Sequence, residues 1–323
     1  MYYTNDTIPY PITGTLQSRK KLPPFITELN EGRQRWKRRF NQSRMMRNGE
    51  NQYQYMMKNI YRMATEVSTT SGRLIKKIEE QGDLDNTLII FTTDNGYFHG
   101  EHQLADKWYP HEESVRVPLI IRDPRMDPKY KGTTNDDFTL NVDLAPTLLG
   151  AAGLQAVPGM MGRDMSVLYR DDATVPSGVA QQHDDTTTGE QQSAQSHPQQ
   201  QQQQQQQARQ DPPLQRRHPL NVNPNAHLSA KQYPWREEFF YEHPVLGHKA
   251  YIPSSEALVR KDWKYMYWPD YDREQLFDLR MDPIEDNDRI QDPDPYVRGI
   301  LSEMRHRFQE LRGWVHSNAT VTL

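Results

Sequence analysis

The 323-residue sequence contains no cysteine. That excludes disulfides, thiolate zinc and iron–sulfur sites, and any thiol nucleophile, while leaving the redox compartment open. Long apolar runs are missing too. Nothing approaches the ~18 consecutive apolar residues that span a bilayer, so no membrane span is expected. The opening residues, Met1 to Asp6, have neither a basic n-region nor an apolar h-region, so as written the sequence carries no signal peptide. Nor is there an excess of one charge. With 39 Lys+Arg against 43 Asp+Glu the formal net charge is −4, which gives no whole-chain reason to expect a nucleic-acid partner.

Apolar side chains are sparse. At 35% hydrophobic residues and a mean hydropathy of −0.96, some of the chain is expected not to pack. One segment explains much of the shortfall. From Gln181 to Gln210 fifteen of thirty residues are Gln, with an unbroken polyglutamine run from Gln199 to Gln207. A tract that buries so little does not offset its ordering entropy, so residues 171–232 read as a disordered insertion. It divides the chain into residues 1–170, 171–232 and 233–323.

Upstream of the insertion, Met56, Ile60, Met63, Val67, Leu74 and Ile78 recur at three- and four-residue steps or their sum. This is the stripe of an amphipathic helix that ends at Gly82. The run Thr87-Leu88-Ile89-Ile90-Phe91-Thr92 is too apolar to be half exposed and reads as a central parallel strand buried on both faces. A second strand is expected from Val117 to Ile121, and a helix from Asn141 to Leu149 that stops at Gly150 or Gly153. Helix, strand, loop, strand, helix is α/β grammar. Downstream the pattern changes. Phe239–Tyr241, Ala257–Arg260, Trp263–Trp268 and Gln275–Leu279 are short, aromatic-rich runs that predict a small antiparallel sheet. A last helix from about Tyr296 to Arg312 would bury Ile300, Leu301, Met304, Phe308 and Leu311 and stop at Gly313.

Chemistry concentrates where the apolar strand ends, from Thr92 to Lys107. Ligands in open α/β sheets bind at the carboxyl ends of strands. An Asp94 carboxylate beside an Asn95 carbonyl oxygen offers two hard donors that suit Ca²⁺ or Mg²⁺ better than zinc. His102 and Lys107 add groups able to bind an anion or protonate a departing oxygen. Each part alone has a plainer reading, since Asp-Asn-Gly is a common turn and a loop His or Lys is commonly solvated. The combination within fourteen residues argues for a site that joins a cation to an oxyanion.

Other features admit two readings. Arg33, Arg35, Lys37, Arg38 and Arg39 put five cations in seven residues, either a solvated helix face or a polyanion contact. Glu242 and His243 end an apolar run, where a structural hydrogen bond and a sugar contact are both open. The aromatics from Trp263 to Trp268 fit a strand core or a sugar-stacking surface.

The run from Asp85 to Pro124, with Thr92-Thr93-Asp94-Asn95-Gly96 and Gly100-Glu101-His102-Gln103-Leu104-Ala105-Asp106-Lys107 at its centre, resembles the second signature region of the type I sulfatases. The branch it looks most like holds N-acetylglucosamine-6-sulfatase-like and iduronate-2-sulfatase-like enzymes. The likeness extends to Arg33–Phe40 and Tyr61–Met63 upstream, and to Phe240–His243 and Gln275–Pro283 downstream.

The resemblance implies an alkaline-phosphatase-like α/β core, truncated at its N-terminus, with a small antiparallel α+β C-terminal subdomain. It implies hydrolysis of a sulfate ester, here a sulfated sugar, by a formylglycine hydrate with Ca²⁺ holding the sulfate. Residue by residue, Asp94 and Asn95 fall on the metal-ligating pair, Lys107 on the sulfate-binding lysine, and His102 on the loop histidine expected near the sulfate. A periplasmic, secreted or lysosomal setting is implied for the full-length family. One element is missing. The formylglycine precursor lies in Cys/Ser-x-Pro-x-Arg, and neither a cysteine nor Ser-x-Pro-x-Arg occurs here. The chain therefore reads as the C-terminal part of a sulfatase, without turnover of its own. The alternatives are a phosphatase or phosphodiesterase of the same fold, and a non-catalytic sulfate- or glycan-binding relic.

Overall fold

A computed structural model describes residues 3–157, 159–171 and 235–318; the Gln-rich tract lies outside the described residues. Residues 1–139 and 235–323 group into one compact unit and 140–234 into another. In chain order the elements are α1 (Leu16–Arg19), α2 (Glu31–Arg39), α3 (Gln52–Glu80), β1 (Ile89–Thr92), β2 (Phe98–His99), β3 (Ala105–Asp106), α4 (Glu112–Val115), β4 (Leu119–Arg122), α5 (Leu144–Ala151), β5 (Glu238–His243), β6 (Ser255–Arg260), β7 (Trp263–Trp268), β8 (Arg273–Asp278) and α6 (Pro295–Asn318). The smaller unit is built on α5. Among the described residues no helix is long and apolar enough to cross a membrane.

The expected antiparallel sheet is present, in the order β5-β6-β7-β8. Register aligns Leu258 with Tyr265 and Tyr265 with Leu276. That row packs with Val297, Leu301, Met304 and Phe308 of α6. On the other face Ala257, Val259, Met266 and Phe277 meet Phe138, Phe239 and Tyr241. Both faces being covered explains why β6 and β7 carry almost unbroken buried runs, and Trp263 and Trp268 are core residues at 2% and 0% exposure. Helix α6 differs from expectation in running through Gly313. A docked apolar face outweighs the ~1 kcal/mol a helical glycine costs.

Two further expectations change. Strand β1 is not a central parallel strand; it pairs antiparallel with β4, Ile90 facing Ile121 and Phe91 facing Ile120. Phe91 and Ile120 are 38% and 65% exposed. An apolar run records a preference for burial but not the number or direction of its neighbours. Helix α3 does follow the predicted stripe, capped by the Asn51 side chain on the Gln54 N–H and ended by Gly82 at φ 79°. Its first turns pack Tyr53 and Met57 against Trp36 and Phe40, whereas Met63, Val67 and Leu74 farther along are exposed.

Candidate active site

Beyond β1 the chain turns at Asp94-Asn95-Gly96. Glycine is required here by close approach: a Cβ on Gly96 would lie 2.2 Å from the Glu113 carbonyl oxygen, and the Gly96 N–H donates to the Ser114 carbonyl at 2.8 Å. The turn is thereby pressed onto α4. The Asp94 carboxylate accepts the Asn95 N–H at 3.0 Å. The Asn95 amide donates to the Gly96 carbonyl at 2.7 Å, which leaves its Oδ1 to accept the Lys107 ammonium at 2.5 Å. Three of the four residues singled out from sequence thus lie together.

Lys107 sits on a strained segment. His102, Gln103, Asp106 and Trp108 all have left-handed backbones, with φ of 51°, 57°, 77° and 89°, a conformation that costs non-glycine residues roughly 1–2 kcal/mol each. The surroundings hold it. β2 pairs with β3, Phe98 opposite Asp106, and Leu104, Ala105 and Tyr109 are fully buried. The Ser255 hydroxyl donates to the Trp108 carbonyl at 3.2 Å. Buried Lys264 donates to the Pro110 carbonyl at 3.0 Å and to Glu112 at 2.6 Å, and pairs with Glu285 at 2.7 Å. Burial pulls the Lys264 pKa down, but Glu285 and Glu112 override it and raise the value.

The ring of His102, the residue expected near the sulfate, is buried at 1% exposure. It stands 5.5 Å from the His111 ring, with Nε2 4.0 Å from Glu113 and no hydrogen bond. The two histidines, with Gln275, Glu285 and Asp286, line a cavity of about 10 Å³, room for about one water. Burial pushes His102 down to about 4 and His111 well below its usual value, and pushes the Glu113 carboxyl up to about 8. In each case burial disfavours the charged form. His243, at the end of β5, pairs with Ser255 in the register. Burial, and then the charge of Lys107, lower its pKa.

The charge run on α2 is engaged internally. Arg33 donates to the Gln103 side chain at 3.1 Å, and Lys37 pairs with Glu28 at 2.5 Å. Arg35 and Arg39 both bond the Asp106 carboxylate. Sequence reasoning assigned Asp106, Arg35 and Arg39 no place near the site, because pairing across some seventy positions leaves no local pattern; only the shared presence of a charge run and Asp106-Lys107 could have hinted at it.

The calcium expectation meets an incomplete donor set. Asp94 and Asn95 supply two oxygens against the six to eight that Ca²⁺ takes, and the Asn95 oxygen already accepts from Lys107. Among the described residues no group of three His, Cys, Asp or Glu side chains is placed to hold a metal. These residues do not by themselves fit a Ca²⁺ site.

The covered antiparallel C-terminal sheet and the helices and strands around it have an alkaline-phosphatase-like fold. Solved structures agree: the chain superposes with TM-score 0.59 and 22% identity on a protein in complex with its substrate D-glucosamine-2-N,6-O-disulfate, covering 83% of this chain and 42% of that one. It superposes with TM-score 0.54 and 20% identity on the phosphonate monoester hydrolase of Agrobacterium radiobacter, covering 92% and 52%. Within that fold, residues 28–154 match the family model for sulfatase. An N-acetylglucosamine-6-O-sulfatase of Bacteroides thetaiotaomicron is 36% identical over 125 residues, 39% of this chain and 22% of that relative. The alignment thus spans about a fifth of the relative's length.

Proposed function

We propose that this chain is part of a sulfatase acting on a sulfated sugar, and that its own residues bind and orient the sulfate ester. The observation that carries the reading is the Lys107–Asn95 contact of 2.5 Å beside Asp94, inside the segment that matches the family. The Lys107 ammonium would neutralise charge on the sulfuryl oxygens, an electrostatic role that a fixed cation performs without reorganising at the moment of reaction. Asn95 holds that ammonium in place, itself oriented by the Gly96 carbonyl. No step of the proposal runs through a metal ion, since Asp94 and Asn95 alone do not fit one. The nucleophile is not among these 323 residues, which hold neither cysteine nor Ser-x-Pro-x-Arg.

The expected behaviour is binding without turnover. Purified chain should bind inorganic sulfate and glucosamine 6-sulfate by calorimetry, Lys107→Ala should abolish both, and a chromogenic aryl sulfate should not be hydrolysed. Hydrolysis that disappears in Lys107→Ala, or sulfate binding that survives it, would overturn the reading. A phosphonate or phosphate ester is the second reading, favoured by the phosphonate hydrolase superposition; tighter binding of inorganic phosphate than of sulfate would select it.

A further inference from the structure

We propose that Arg35, seconded by Arg39, is a positioning residue that fixes Lys107 in its strained setting; the functional part of this inference rests on the reading of Lys107 given above. Helix α2 presents the two arginines at i and i+4, on one face. The Arg35 guanidinium bonds the Asp106 carboxylate and lies 4.9 Å over the Trp108 ring. It therefore touches the residue before Lys107 and the residue after it. These are the two positions with φ of 77° and 89°, and both side chains are buried, at 6% and 8% exposure. Aspartate tolerates a left-handed backbone, whereas tryptophan does so poorly, so the arrangement persists only if its surroundings enforce it.

Arg39 extends the grip to the other half of the site. It donates to the same Asp106 oxygen at 3.1 Å and to the Tyr97 hydroxyl. Tyr97 lies two residues beyond Asn95. One helix face thereby reaches both segments that meet in the Asn95–Lys107 contact. Arg35 suits the task better than lysine because its planar fork can bond a carboxylate and stack on an aromatic face at once. By contrast Arg38, one position before Arg39, is 61% exposed, with Glu31 at 3.6 Å.

The test follows Lys107 directly in the ¹⁵N-labelled whole chain, with inorganic sulfate as the probe. In Arg35→Ala the backbone order parameter of Lys107 should fall from the rigid range near ~0.85 to below ~0.6, and sulfate affinity should drop about tenfold, the lower end of the loss when the residues that orient metal ligands are removed. Arg35→Lys should fall between it and the wild type, keeping a charge for Asp106 and losing the contact with Trp108. Arg38→Ala should change neither quantity. If Arg35→Ala does not fold, Asp106→Asn gives the same readout, since asparagine tolerates the backbone and surrenders the ion pair. A folded Arg35→Ala or Asp106→Asn chain with a rigid Lys107 and unchanged sulfate affinity overturns the proposal, whatever its melting temperature. Loosening of Lys107 in a chain that never binds sulfate leaves the positioning intact and sinks the functional reading.

Discussion

Lys264→Met tests how the Lys107 loop is held to the C-terminal sheet. The ammonium is fully buried and meets a carbonyl and two carboxylates within 3.0 Å. Methionine fills similar space, so the cavity contribution is small and the loss is electrostatic. Glu285, whose side chain is also 0% exposed, keeps the Glu112 N–H at 2.7 Å but loses its cation. It has two ways out. Remaining ionised without its partner costs about 3–5 kcal/mol. Taking up a proton at pH 7, from a reference value of 4.5, costs about 3.4 kcal/mol at 1.36 kcal/mol per unit. The cheaper route sets the expected destabilisation near 3 kcal/mol at pH 7, with Glu112 turning to water. Protonation becomes easier as pH falls, so the penalty should shrink by up to ~1.4 kcal/mol per pH unit toward pH 5. Urea unfolding of both proteins at pH 7 and pH 5 measures this. A loss under 1 kcal/mol at pH 7, or one that does not shrink in acid, would refute the reasoning.

Gly96→Ala should destabilise by about 2–3 kcal/mol, the upper range for overpacking, because the added Cβ meets backbone at 2.2 Å; denaturant titration reports the stability, and calorimetry with sulfate reports whether the Asn95–Lys107 contact survives. Glu113, with a folded pKa of about 8 against 4.5 unfolded, keeps a proton the unfolded chain releases, so it costs stability increasingly as pH rises from 4.5 to 8. Glu113→Gln removes that cost and should gain about 2–3 kcal/mol over wild type at pH 7 relative to pH 4; equal gains at both pH values would contradict the buried neutral acid. His102 has the opposite sense, about 4 folded against 6.5 unfolded. Its stabilising share is complete above pH 6.5 and is lost as pH falls toward 4, so His102→Gln should flatten the acid limb of the stability profile. Met63→Gln with Leu74→Gln, on the exposed length of α3, should shift urea unfolding by no more than ~0.5 kcal/mol each.

Local signals in the sequence translated well into local structure. The 3.6-residue stripe of α3, the four aromatic strands and the apolar face of α6 depend on neighbours a few positions away, and they appear where their spacing puts them. Asp94, Asn95 and Lys107, a strand end with two oxygens and a cation within one short stretch of sequence, also lie together in the fold. The failures share a cause. The direction of β1 and the continuation of α6 past Gly313 are decided by partners far along the chain, which periodicity does not encode. The arginine run shows this most plainly. As sequence it is five cations awaiting an anion, and in the fold the anions are Glu28, Glu31 and Asp106.

The meander from β5 to β8, followed directly by α6, closes through contacts between successive elements, which favours early, fast folding. The Lys107 loop has no such local route. Its ties to Ser255, Lys264 and Glu285 cross 147, 154 and 173 positions. During synthesis at about 5–20 residues per second, Glu285 is added roughly 10–35 s after Glu112. Throughout that interval the lysine-bearing segment exists without the sheet that props up its left-handed residues. The site is translated well before the sheet it leans on, and it is among the last parts of this unit to take shape.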